Sequence, residues 1–117
     1  MDRRIATVIQ WMENHTGSSG QIEELAASVN LSASRLRHLF KQETGTTPTH
    51  YLKNLRLRKA ELLLRTTFLS VKEIAGRVGL GSGSHLVREF KKAYGVSPTI
   101  YRSSADQTTG GVRKRRK

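Results

Sequence analysis

Gly79, Gly81 and Gly83 alternate in the stretch VGLGSGSHLVREF, Val78 to Phe90, just ahead of a basic segment with helical spacing. Glycines so placed can cradle a phosphate, because backbone N–H groups and the helix dipole converge at a helix N-terminus. A nucleotide-binding loop also needs Lys-Ser or Lys-Thr after the glycines and a strand before them, and this stretch has neither. Other chemistry is thinner still. His15, His38, His50 and His85 fall in separate segments without the spacing of metal ligands. No acidic cluster is suited to magnesium, and Glu73 is accounted for by a helix cap. The absence of cysteine removes disulfides, thiolate metal sites and thiol catalysis together. These residues indicate no catalytic site, no metal site and no cofactor, so the chain does not read as an enzyme.

Charge is the stronger signal. Lysine and arginine number 21 against 9 aspartates and glutamates, a formal net charge of +12 over 117 residues. The tail Arg113-Lys114-Arg115-Arg116-Lys117 holds five of these charges, and removing them from +12 leaves +7 on the rest. Such an excess repels itself unless a polyanion offsets it; nucleic acid is the commonest candidate and an anionic membrane surface the other. No run approaches the roughly 20 apolar residues of a bilayer span, and no signal peptide opens the chain. The expectation is a cytoplasmic protein without a membrane partner.

The elements that position these residues are all helical. Ile5, Val8, Ile9 and Met12 form the apolar stripe of a first helix, closed by the turn-formers His15 to Gly20. Ile22, Leu25, Ala26 and Val29 give a short second helix. Ser32 caps a third, buried through Leu36, Leu39 and Phe40 and ended by Gly45. Thr47-Pro48 opens a long helix that runs to about Arg65 through Tyr51, Leu52, Leu55, Ala60, Leu62 and Leu63. Ser70 to Glu73 has the spacing of a capping box, starting a helix with Ile74, Ala75 and Val78 on its apolar face. A further helix carries Leu86, Phe90 and Tyr94 and stops at Gly95. Ser97-Pro98 opens a last short helix through Tyr101, and Ser103 onward reads as a disordered basic tail. The fold class is therefore all-α, with about seven helices.

The chain repeats itself. SRLRHLFKQETGTTPTHY, Ser34 to Tyr51, aligns with SHLVREFKKAYGVSPTIY, Ser84 to Tyr101, at an offset of 50. Upstream, ELAASVNL (Glu24 to Leu31) aligns with EIAGRVGL (Glu73 to Leu80) at an offset of 49, so one surplus residue lies between Leu80 and Ser84. The repeated unit is a short helix, a tight turn and a second helix. Ala26 and Ala75 provide the small residue where two helices cross, and Asn30 and Gly79 are types that tolerate positive φ in the turn. This is a helix-turn-helix used twice, whose second helix suits a major groove. The organisation is then 1–46 and 67–102 as two helix-turn-helix subdomains, 47–66 as the connecting helix and 103–117 as the tail.

From Ile5 to Arg102 this layout resembles the DNA-binding domain of the AraC/XylS family of bacterial transcription regulators, most specifically in SVKEIAGRVGL and the S-x-L-x-R-x-F-K-K-x-x-G-V-S-P-x-x-Y-R pattern that ends at Arg102. It departs from the family pattern at Leu80, Ser82, His85 and Leu86. The resemblance implies a sequence-specific regulator of transcription, an activator, with double-stranded DNA as partner, RNA polymerase as a second one and the nucleoid as its place. The domain alone is expected to be monomeric. On this reading two recognition helices, about 33–44 and 83–94, enter adjacent major-groove segments. A connecting helix of about 18 residues spans about 27 Å, of the order of one DNA turn.

The resemblance directs Ser34, Arg35, Arg37 and His38, and in the second unit Ser84, His85 and Arg88, to base edges. Lys41, Thr47, Lys53, Lys91, Lys92 and Ser97 are candidates for phosphate. Arg56, beside Leu55 and Leu57, is a structural brace between the units, while Tyr51 and Tyr101 pack. The second reading helix has fewer donors, since Gly83 and Val87 offer none, so the first unit is expected to supply most base specificity. Two alternatives stay open at this point: a protein-interaction module that retains the fold, and a nonspecific nucleic-acid binder.

Overall fold

The computed structural model describes residues 1–17 and 21–109, with side chains to residue 105. Seven helices and no strand make up the described residues: α1 (Arg3–Asn14), α2 (Ile22–Ser28), α3 (Ala33–Thr44), α4 (Pro48–Thr66), α5 (Val71–Val78), α6 (Gly83–Tyr94) and α7 (Pro98–Thr109). The chain divides into two compact units, Met1–Arg56 and Leu57–Lys117, the second described as far as Thr109. The boundary falls inside α4, so that one helix contributes to both units.

The first core gathers Ile5, Val8 and Met12 of α1, Leu25 and Ala26 of α2, Leu36 and Phe40 of α3, and Leu52 of α4. The i, i+3, i+7 spacing on α1 puts its three on one side, and Asp2 caps that helix by accepting the Arg4 N–H at 2.8 Å. The second core joins Leu57, Ala60 and Leu64 of α4 to Ile74, Ala75 and Val78 of α5, Leu80 after it, and Leu86 and Phe90 of α6. Leu80 and Leu86 lie in this core, which leaves the hydrophobic anchoring of α6 intact where the sequence departs from the family pattern. Leu62, expected on the buried side of α4, is exposed instead, because Ala60 and Leu64 take the inward positions at i and i+4.

The two turns share one corner conformation and one hydrogen bond, built from different residues. After α2 the Leu31 N–H donates to the Ala26 carbonyl at 2.9 Å and the Asn30 N–H to that of Ala27 at 3.1 Å. After α5 the Leu80 N–H donates to the Ala75 carbonyl at 3.0 Å. A bond spanning five residues in this way requires a left-handed residue at the corner. Asn30 takes it at φ 61° and Gly79 at φ 79°. The surplus residue is Gly81, also left-handed at φ 69°, since Ser82 then caps α6 as Ser32 caps α3.

The repeat extends to aromatic packing. Phe40 and Tyr51 meet edge to face at 5.3 Å, and Phe90 and Tyr101 do so at 5.4 Å. Both tyrosines pack, as expected. The end of the chain differs from expectation: α7 does not stop near Tyr101 but continues to Thr109, and Ser103 to Thr109 are helical rather than part of a disordered tail. No glycine or proline occurs between Ser103 and Thr109, so nothing in the sequence interrupts the hydrogen-bond ladder before Gly110. The basic residues of the expected tail, and Ser18 to Gly20 of the expected first turn, lie outside the described residues.

Candidate nucleic-acid interface

Helices α3 and α6 each start from a serine cap. The Ser32 hydroxyl accepts the Arg35 N–H at 3.0 Å, and the Ser82 hydroxyl accepts that of His85 at 3.2 Å. Burial then sorts the side chains. Leu36 and Phe40 tie one side of α3 to its core, as Leu86 and Phe90 do for α6, and all four are fully buried. The opposite side of α3 presents Ser34, Arg35, Arg37, His38 and Lys41, every one exposed. On α6, Ser84, Arg88, Lys91 and Lys92 are exposed and His85 is half-buried.

Arg37, His38, Lys41, Gln42 and Thr47 line one open hollow of about 410 Å³. It brings together residues expected at bases and residues expected at phosphates. Gln42 was not among the expected contacts, although it follows His38 by four residues and shares its face. A glutamine there can pair with adenine N6 and N7 in the manner of an amide reader.

Thr47 and Ser97 occupy equivalent places at the N-termini of α4 and α7. Thr47 accepts the His50 N–H at 3.2 Å and Ser97 the Ile100 N–H at 3.3 Å. Each hydroxyl keeps its own proton to donate outward. Thr47 is exposed, while Ser97 and Lys53 are half-buried. Arg88 pairs loosely with its neighbour Glu89 at 3.8 Å, yet its side chain is 67% exposed and can leave that carboxylate.

Several charged and ring groups are committed to structure. Arg56 donates from Nε to the Thr16 carbonyl at 2.9 Å inside the first unit, and burial pulls its guanidinium below the ordinary value. Arg102 donates to the carbonyls of Leu64 and Thr67 at 3.1 and 3.3 Å, serving the C-terminal end of α4. Burial raises the Glu61 carboxyl, but hydrogen bonds from Arg65 and the Tyr101 hydroxyl outweigh it and hold the group below its ordinary range. Glu73 is lowered by accepting the Ser70 backbone N–H in the expected capping box. His15 uses Nδ1 on the Trp11 carbonyl at 2.9 Å and stacks on the Trp11 ring. A carbonyl only accepts, so Nδ1 carries the proton there.

Among the described residues no three histidines, aspartates or glutamates come close enough to hold a metal ion, and no helix is long and apolar enough to cross a membrane. Residues 25–104 match a family model described as a helix-turn-helix domain. The HTH-type transcriptional activator RhaS of Klebsiella pneumoniae (strain 342) is 38% identical over 105 residues, 90% of this chain and 38% of RhaS. The arabinose operon regulatory protein of Escherichia coli (strain K12) is 33% identical over 113 residues, 96% of this chain and 39% of that protein. The chain thus spans under two-fifths of the length of these curated relatives. Among solved structures, the DNA-binding domain of the transcriptional factor AdpA, in complex with a target DNA, aligns with a TM-score of 0.88 at 31% identity, covering 93% of this chain and 98% of that one. By its duplicated turn, its family match and these relatives, the chain belongs to the AraC/XylS family of helix-turn-helix DNA-binding domains.

Proposed function

We propose that the chain binds double-stranded DNA by sequence, each unit laying one helix, α3 or α6, in the major groove. The observation that best supports this reading is the duplicated turn. It holds two helices, each with its apolar side in a core and its cation-bearing side in solvent. Ser34, Arg35, Arg37 and His38 on α3, with Ser84, His85 and Arg88 on α6, then meet base edges, where an arginine forks onto guanine O6 and N7. Lys41, Lys53, Lys91 and Lys92 meet phosphate, which fixes register without reading sequence. Thr47 and Ser97 join them at helix N-termini, where the dipole favours an anion. RhaS is described as an activator, and we extend the reading to activation, with RNA polymerase as partner and a monomeric domain acting on the nucleoid in the cytoplasm.

The deciding experiment is selection of bound duplexes from a random pool, followed by titration of the preferred site at several salt concentrations. One enriched site is expected, with log K falling against log salt at a slope of about −5 to −7 for six to eight neutralised phosphates. No enrichment, or affinity indifferent to salt, overturns the reading. Transcription in vitro from a promoter carrying the selected site tests the regulatory extension, and an increase is the expected result.

A further inference from the structure

The two units are copies, so their outward positions can be compared pair by pair. Ser34 matches Ser84, Arg35 matches His85, His38 matches Arg88 and Lys41 matches Lys91. Two of these pairs are identical and two exchange one polar side chain for another, so all four stay polar. The fifth does not: where the first unit has Arg37, the second has Val87.

Val87 does not serve the interior. It is 38% exposed, and the inner side of α6 is already held by Leu86 and Phe90. Nor does it serve the helix, because a β-branched residue loses rotamer freedom there and is among the weaker helix formers. What it offers is a rigid pair of methyl groups on a face otherwise made of hydrogen-bonding groups, with Ser84 three residues before it, Arg88 next to it and Lys91 four residues after. The residue one turn before Val87 on its own face is the small Ser84, and of the two larger side chains between them Leu86 is buried and His85 half-buried.

In the major groove a base pair presents donors, acceptors and one apolar group, the C5-methyl of thymine. We propose that Val87 reads that methyl group, so that the second unit selects a thymine at the step where Arg37 gives the first unit a guanine. This rests on the DNA reading above and gives α6 a sequence preference that needs no hydrogen-bond donor.

The test uses the full chain and its selected duplex. Each thymine in turn is replaced by deoxyuridine, which removes the methyl group and nothing else. One position is expected to weaken binding about four-fold, the worth of one buried carbon. Val87→Ala should bind the thymine duplex less tightly and lose the thymine–uracil difference there, with the helical signal and the salt slope unchanged. Val87→Arg should shift the selected base at that position towards guanine. A chain that selects no duplex overturns the DNA reading and this proposal with it. A chain that selects one, but shows no methyl-sensitive thymine or keeps that sensitivity in Val87→Ala, overturns this proposal alone.

Discussion

At the corner of each turn a single residue takes a left-handed conformation, Asn30 in one copy and Gly79 in the other. The exchange predicts which substitutions the corner accepts. Gly79→Asn should lower stability little, because asparagine already holds the same place in the first unit. Gly79→Val should cost at least about 1–2 kcal/mol, the penalty for forcing an ordinary side chain into that region, as read from thermal unfolding. Among the proposed base contacts, Arg37→Ala and Arg88→Ala should each lose about 1–3 kcal/mol on the selected site and clearly less on random duplex. Lys92→Ala should weaken both alike and lower the salt slope by about 1. As exposed candidates these positions were legible from sequence because helical spacing separates them from Leu36, Phe40, Leu86 and Phe90. Gln42 was not, since a neutral amide beyond the cationic run carries no charge signal and only the shared hollow groups it with Arg37 and His38.

Helix starts were the most readable elements, because a hydroxyl cap or a proline marks them locally. Ser32, Thr47, Ser70 and Ser97 all stand where the sequence puts them. Ends without punctuation were not readable, which is why α7 continues past Arg102. The inward side of α4 was also mixed: Leu57 and Leu64 are buried while Leu62 is exposed, because that helix serves two cores and shows no single stripe. Ser32→Ala and Ser82→Ala should each cost about 0.5–2 kcal/mol through the lost cap. The Glu61 carboxylate, held by Arg65 on its own helix and by Tyr101 on α7, links two elements of the second unit to pH. Its folded value lies below the ordinary 4.5, so its contribution is present above that value and fades as pH falls through the folded one. Thermal unfolding followed from pH 7 down to 3 should therefore show an acid loss that is smaller in Glu61→Gln.

For the whole molecule, charge and sequence preference are separable quantities. Deleting Arg113–Lys117 removes five cations, and should lower the salt slope by at most about 4.5 while leaving the selected sequence unchanged. Altered selection would mean that the tail reads bases. The division of α4 between two cores has a consequence in time as well as in space. Each core closes over neighbouring helices, a local arrangement that favours fast folding and opening in separate steps. Amide hydrogen exchange along Pro48–Thr66 should then fall into two classes within one uninterrupted helix. Amides up to Arg56 would exchange at the rate at which the first unit opens, and those from Leu57 at the rate of the second. A substitution such as Phe90→Ala should accelerate only the second class, so that half a helix melts while the other half keeps its protons.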